Sequence, residues 1–191
     1  MKQNWSQDIY VKAWDFATMA HEGQTYGGPI EGQRIPYINH IGSVAMELIC
    51  GLNSDLNLDG NLAVQCALLH DAIEDTDIQF NDIEAEFGLA VAQGVQALTK
   101  DESLATKEEQ MLDSIERIKL QPKEVWMVKL ADRITNLSKP PAYWTSEKRT
   151  KYREEALIIH QHLHEANEPL AARLLTRAEH YKNYILNPNN S

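Results

Sequence analysis

Apolar residues recur at intervals of three and four along most of this chain, which is the spacing of one face of an α-helix. Alternation with a period of two, typical of a half-buried strand, is not convincing at any point. The first helix is predicted over residues 6–22, and the second follows residues 36–40 and ends at Gly51. Further helices are predicted over 62–74, 81–88, 89–98, 107–119, 122–139, 144–164 and 169–185. The glycine-rich stretch 23–34 is predicted to be a long loop. We therefore predict an all-α helical bundle.

Size and charge narrow the classes of protein that fit. At 191 residues and 21.7 kDa the chain can bury one substantial core, so we expect a single domain over 1–191, with a motif-bearing core at about 6–139 and closing helices at about 144–185. The net charge of -10 argues against a general nucleic-acid binder, although a local basic pocket can still take an anionic small molecule. Without an apolar signal core or a membrane-spanning stretch, we expect a cytoplasmic protein with no membrane partner. Cys50 and Cys66 are interpreted as reduced core thiols, and the oligomeric state stays open.

Residues 70–75 bring four ionisable side chains together directly after an apolar run. On a continuous helix, Glu74 would lie one turn beyond His70, and Asp75 one turn beyond Asp71. A nitrogen and an oxygen ligand would then stand beside two carboxylates. Such a pair of ligands suits a metal ion, and the carboxylates suit a water molecule and its protons. A His–Asp dipeptide is weak evidence alone, so this interpretation depends on the rest of the chain.

Two more polar residues could complete a metal site. His40 stands early in the second helix, and Asp132 follows a nearly continuous apolar run, with Asn136 one turn beyond it. A carboxylate and an amide at the end of a buried helix are costly without a partner. The alternatives are an ordinary helical histidine and a solvated pair of Asp132 with Arg133. Together with residues 70–71 they would form a mixed nitrogen and oxygen set that suits Mn²⁺ or another six-coordinate divalent ion.

Several segments resemble one known family in the same order. They are FATMAHEGQ at 16–24, PYINH at 36–40, ALLHDAIEDT at 67–76, LTK at 98–100 and VKLADR at 128–133, followed by NL at 136–137. This pattern resembles the histidine–aspartate (HD) hydrolase domain of the RelA/SpoT family in its small stand-alone form. The resemblance covers about two thirds of the chain and weakens beyond residue 143.

The resemblance implies an HD-domain bundle that removes the 3′-pyrophosphate of guanosine tetra- and pentaphosphate in a Mn²⁺-dependent reaction. The metal ligands that it implies are His40, His70, Asp71 and Asp132. Glu74 and Asp75 match its catalytic carboxylate pair, and Asn136 matches its substrate-contacting amide. His21 also matches a family position, and we interpret it as structural.

The segment that contacts the purine base departs from the family pattern. A basic pair of the family is replaced by Thr25 and Tyr26, and the loop that leads to His40 is longer. Tyr26 could stack on a base, and Arg34 could reach in from the longer loop, or both could be ordinary loop residues. The basic residues that could bind phosphate are Lys100, Lys139, Lys148 and Arg149, and each could instead be a solvated surface charge.

These departures leave the substrate open at this stage. The main hypothesis is a 3′-pyrophosphohydrolase of guanosine polyphosphates. The alternatives are an HD phosphohydrolase of a related nucleotide, such as ppApp or NADPH, and a nucleotide sensor without turnover. Because both Glu74 and Asp75 are present, the sensor is the less favoured hypothesis.

Overall fold

The computed structural model describes residues 4–186. Within that range the chain forms ten α-helices, a short 3-10 helix and one two-stranded sheet. The helices are α1 (Gln7–Ala20), α2 (Ile38–Leu52), α3 (Gly60–Leu69), α4 (Ala72–Asp75), α5 (Phe80–Phe87), α6 (Leu89–Leu98), α7 (Lys107–Lys119), α8 (Lys123–Asn136), α9 (Ser146–Leu163) and α10 (Glu168–Leu186), with the 3-10 helix at His164–Ala166. The prediction of an all-α fold is confirmed.

The segment predicted as a long loop instead contains a small antiparallel hairpin. Strand β1 (Thr25–Gly27) pairs with β2 (Arg34–Pro36), and Tyr26 lies opposite Ile35. Aromatic and β-branched side chains favour this pairing. Gly32, with a φ of 76°, supplies the left-handed backbone that the connection requires. The strands are too short to give a recognisable alternation in the sequence.

The prediction of one continuous helix over 62–74 is wrong. Helix α3 ends at Leu69 and α4 begins at Ala72, and between them Asp71 has a φ of -101° and a ψ of 1°. On a continuous helix, consecutive side chains point in directions about 100° apart and do not face each other. The break lets His70 and Asp71 turn towards the same point, which a regular helix forbids.

Capping side chains start several of the helices. Asp59 accepts a hydrogen bond from the Leu62 N–H, and Thr106 forms a reciprocal capping box with Glu109. A second box opens α5 and consists of Gln79 and Asp82, so the helix begins at Phe80, one residue before the predicted start at 81. These local signals explain why most predicted helix boundaries lie close to the observed ones.

The core surrounds α8, whose apolar run is buried as predicted. Val125, Met127 and Leu130 are fully buried, and α2 and α3 pack against this helix. Helices α9 and α10 also pack against α8; α9 contributes Ile159 to the same core, and α10 contributes Leu174 and Tyr181. Of the two thiols, Cys66 is buried as expected, whereas Cys50 is exposed on α2, so the core prediction for Cys50 is wrong.

Candidate metal centre and active site

Three parts of the fold meet at one point. The first turn of α2 carries His40, the break between α3 and α4 carries His70 and Asp71, and the C-terminal part of α8 carries Asp132. Each segment is anchored by apolar residues of the core, so the polar side chains at its end are held in place. The fold therefore brings together residues that lie far apart in the sequence.

The donor atoms of three predicted metal ligands, His40, His70 and Asp132, all lie within 4.8 Å of one another, and the fourth, Asp71, contacts the two histidines. His40 Nε2 lies 3.3 Å from His70 Nε2 and 3.4 Å from Asp132 Oδ1. Asp71 Oδ2 lies 2.9 Å from His70 Nε2 and 3.5 Å from His40 Nε2. Adjacent ligands of an octahedral ion bound at roughly 2.1 Å are about 3 Å apart. These distances fit donors that share one divalent ion.

Hydrogen bonds hold two of the four predicted ligands in place. The Nδ1 of His70 donates to the carbonyl oxygen of Ala67 at 2.8 Å, which leaves the lone pair of Nε2 free for a metal. Asn136 donates to Asp132 Oδ1 at 2.5 Å. His40 and His70 are only 8% and 4% exposed. Buried ligands with outer hydrogen-bond partners are typical of metal centres in proteins.

The charges in this cluster stabilise one another against the cost of burial. Burial by itself would lower the pKa of His40, but the carboxylates of Asp132 and Asp71 outweigh it and raise that pKa to about 10. Burial would raise the pKa of Asp132, yet the hydrogen bond with His40 and the charge of Lys129, 3.9 Å away, hold it below its usual range. The cluster attracts positive charge, so a metal ion that binds here must displace protons.

The two remaining carboxylates of 70–75 lie on α4, directly after the predicted ligands His70 and Asp71. Glu74 accepts two hydrogen bonds from Lys100, one from its main-chain N–H at 3.0 Å and one from its ammonium group. Burial and the charge of Asp71 raise the pKa of Asp75. A carboxyl whose pKa is raised towards neutral pH exchanges protons more readily under working conditions.

Tyr37 is a site residue to which the sequence reasoning gave no role. Its hydroxyl oxygen lies 2.6 Å from Asp71 Oδ2 and 3.0 Å from Asp75 Oδ2. The available signal was its position within the PYINH segment, three residues before His40. Its contacts arise only from tertiary packing, so no local sequence pattern predicts them.

His21 has the structural role that was predicted for it. It is 3% exposed, and its Nδ1 donates to Gln24 Oε1 at 2.8 Å. Gln24 then donates to the main-chain oxygen of Asp75 at 2.6 Å. This chain of hydrogen bonds ties the end of α1 to the end of α4.

Of the two candidate base-contacting residues, the structure brings Tyr26 close to the site. The ring of Tyr26 packs edge-on against the ring of Tyr37, with centroids 6.2 Å apart. Arg34 is exposed, and its Nε donates to Thr25 Oγ1 within the hairpin at 3.0 Å. Tyr26 is thus separated from Asp71, a predicted ligand, by the single aromatic ring of Tyr37.

The four candidate phosphate-binding residues fall into two groups. Lys100 reaches the site through Glu74, and half-buried Lys139 forms no ion pair with any described residue. Lys148 lies over the ring of Trp144 at 4.3 Å. Arg149 is 6% exposed and donates to the carbonyl oxygen of Tyr184. Contrary to the sequence expectation, its position on the buried face of α9 argues for a structural role.

Comparison with known proteins identifies the family of this chain. Residues 13–169 match the HD domain family. The chain belongs to the HD-domain family. The match includes every residue predicted as a metal ligand or catalytic carboxylate. The predictions of an HD-domain bundle and of an enzyme with metal-dependent hydrolase chemistry are confirmed, and the family implies a divalent metal ion.

The similar proteins include small stand-alone members of this family. The chain is 33% identical over 175 residues to guanosine-3′,5′-bis(diphosphate) 3′-pyrophosphohydrolase MESH1 of Danio rerio, covering 88% of this chain and 92% of that protein. It is 32% identical over 168 residues to the Homo sapiens protein of the same name, covering 86% and 89%. A solved structure described as a metazoan ortholog of SpoT that hydrolyzes ppGpp matches with a TM-score of 0.77 and 28% identity, covering 92% and 97%. The resemblance to the small stand-alone form is confirmed.

None of the helices within residues 4–186 is both long enough and apolar enough to cross a membrane.

Proposed function

We propose that this protein hydrolyses the 3′-pyrophosphate of guanosine tetra- and pentaphosphate in a Mn²⁺-dependent reaction. The products would be pyrophosphate and GDP or GTP. The convergence of His40, His70, Asp71 and Asp132 beside a carboxylate pair is the observation that carries this proposal. It is supported by the similarity to relatives whose names describe this activity.

The metal site fits a divalent ion bound by nitrogen and oxygen atoms. His40, His70, Asp71 and Asp132 would hold it, and this mixed donor set suits Mn²⁺. When bound, the ion would supply Lewis-acid chemistry and neutralise part of the phosphate charge. The hydrogen bonds from His70 to Ala67 and from Asn136 to Asp132 support the assignment because they orient two of these ligands.

Glu74 and Asp75 would handle the protons of the reaction. Water would attack the phosphorus atom attached to the ribose 3′-oxygen. The bond between that phosphorus and the 3′-oxygen would break, and the 3′-oxygen would need a proton as it leaves. Asp75 suits the donor of that proton because burial and the charge of Asp71 favour its protonated form. Glu74 would accept a proton from the attacking water after the substrate phosphate draws Lys100 away from it.

The remaining contacts with the substrate come from polar groups around the site. Asn136 would donate to the nucleotide from its place beside Asp132. Lys100 and Lys139 are the better candidates for phosphate, because Lys148 and Arg149 already contact Trp144 and Tyr184.

The base would lie against the hairpin. Tyr26 offers an aromatic face close to the site, and Arg34 offers a charge from the opposite strand. Stacking of a base on an aromatic side chain contributes about 1–3 kcal/mol and tolerates different bases. Adenosine analogues such as ppApp, or NADPH, are therefore the alternative substrates.

A comparison of kcat/KM for ppGpp, ppApp and NADPH tests the choice of substrate. We expect ppGpp to be preferred and Tyr26→Leu to raise KM about 5-fold to 150-fold, as 1–3 kcal/mol of stacking implies. A clear preference for ppApp or NADPH would keep the hydrolase chemistry and refute the guanosine assignment. Tight nucleotide binding without turnover would favour the sensor.

We further propose that residues 1–191 act as one HD domain in the cytoplasm, with a small purine nucleotide rather than a nucleic acid as partner. Both cysteines are free thiols, which suits a reducing compartment. The net charge of -10 favours a small substrate held by local basic groups over a long polyanion.

A further inference from the structure

The hydroxyl group of Tyr37 joins the two functional halves of the site. Its oxygen lies 2.6 Å from a carboxylate oxygen of Asp71, in the proposed ligand set. The same oxygen lies 3.0 Å from a carboxylate oxygen of Asp75, in the proposed acid–base pair. The hydroxyl carries one hydrogen and donates it to one of these carboxylates at a time; among the described residues, no other side chain lies within hydrogen-bond distance of both.

Packing on three sides fixes the direction of this hydroxyl. The ring of Tyr37 has its centroid 5.0 Å from that of His21, 5.4 Å from that of His40 and 6.2 Å from that of Tyr26. The Tyr37 main-chain N–H donates to the carbonyl oxygen of Gln24 at 2.9 Å. The ring cannot turn away from the carboxylates without losing these contacts.

The backbone behind Asp75 is held by the same group of residues. Gln24 donates to the main-chain oxygen of Asp75 at 2.6 Å, while Tyr37 contacts its side chain. Burial and the charge of Asp71 raise the pKa of Tyr37 above its ordinary value, so the phenol stays neutral and can donate its hydrogen.

We propose that Tyr37 is a positioning residue that holds the ligand Asp71 and the catalytic carboxylate Asp75 at a fixed spacing. The catalytic half of this proposal rests on the proposed function, whereas the metal-binding half does not. Removing an outer hydrogen bond of a metal ligand typically costs about 10–100-fold in metal affinity or activity. The effect of the hydroxyl should therefore be measurable in both.

The test compares Tyr37→Phe with Tyr181→Phe. Tyr181 is fully buried in the core, and its hydroxyl has no hydrogen-bond partner among the described residues. Both variants lose one phenolic oxygen from the interior, so Tyr181→Phe controls for that loss. Mn²⁺ affinity is measured from the electron paramagnetic resonance signal of free Mn²⁺, and kcat and KM from pyrophosphate release.

We expect Y37F to bind Mn²⁺ at least about 10-fold more weakly and to lower kcat about 10–100-fold, with KM within about threefold of the wild type. Y181F should match the wild type in all three quantities. Equal Mn²⁺ affinity and kcat in Y37F and Y181F would overturn the proposal. A raised KM with unchanged kcat would also overturn it, because the hydroxyl would then be a substrate contact.

A double mutant tests whether Tyr37 acts through Asp75. In an Asp75→Asn background, Y37F should lower kcat by less than about threefold further, because coupled residues are not additive. Full additivity would overturn the catalytic half. If the wild type released no pyrophosphate from any nucleotide, the proposed function would fail, and the Mn²⁺ affinities of Y37F and Y181F would still decide the metal-binding half.

Discussion

Replacing Asp132 with asparagine tests the metal centre through folding stability. Asp132 Oδ1 lies 3.4 Å from His40 Nε2 and 3.9 Å from His70 Nε2, and asparagine keeps the shape of the side chain while removing its charge. An ion that binds only the folded protein stabilises it by about 2.7 kcal/mol at 100 times its Kd. For a chain of this size, that raises Tm by about 5–11 °C.

The loss of one ligand and its charge should weaken Mn²⁺ binding by about 100-fold or more, the upper end of the loss seen for outer partners. At the same Mn²⁺ concentration, the D132N variant would then gain only about 0.4 kcal/mol, or about 1–2 °C in Tm. Differential scanning calorimetry with and without Mn²⁺ measures both shifts.

Asp113→Asn is the matched control for this variant. It removes a surface carboxylate that pairs with Arg117, away from the proposed ligand set. We expect it to keep the wild-type Mn²⁺ shift. A full wild-type shift in D132N, or no shift in the wild type, would refute the assignment of the metal site.

Glu74→Gln and Asp75→Asn should each lower kcat about 10²–10⁴-fold in a pyrophosphate-release assay, because they remove a proton-transfer group, while the Mn²⁺ shift in Tm is retained. Retained kcat in either variant would contradict the assignment of its role. Arg133→Met should lower the free energy of unfolding by about 3–5 kcal/mol, because it leaves the carboxylate of Glu155, now 3.2 Å from the guanidinium, without its charged partner. Calorimetry measures that loss, and a change below about 1 kcal/mol would show that the pair is not needed. Because the pKa of His40 is raised to about 10, its imidazole is protonated at neutral pH in the metal-free protein and must lose that proton to bind a metal. Mn²⁺ affinity measured by titration should therefore rise with pH, by roughly tenfold per unit for one displaced proton, and an affinity independent of pH would contradict this.

Helix positions could be read from the sequence because their signals are local. Helices α6 and α7 occupy the residues predicted for them, since Gly88 and the capping box of Thr106 mark their starts. The hairpin at residues 25–36 escaped prediction because each strand has only three residues, too few for a period of two to be visible.

The candidate site was less accessible to sequence reasoning. Periodicity alone gives no reason for His40 to lie beside Asp132, 92 positions later in the chain; the cost of burying a carboxylate and the family resemblance suggested it. The break at 70–71 turns two side chains towards residues of distant segments. The local sequence pattern carries no information about those segments, and it therefore predicted an unbroken helix. Arg149 was misjudged because its charge suggested solvent, whereas the fold of α9 against α10 buries it.

The most direct test of the central claim is product analysis with ppGpp as the substrate, with and without Mn²⁺. Purified protein should convert ppGpp to GDP and pyrophosphate, with the 5′-diphosphate intact, and chelation of the metal should abolish the reaction. Glu74→Gln and Asp75→Asn proteins loaded with Mn²⁺ should release little pyrophosphate under the same conditions. If folded, Mn²⁺-loaded wild-type protein released no pyrophosphate from ppGpp, the account of this site as a guanosine polyphosphate 3′-pyrophosphohydrolase would be wrong.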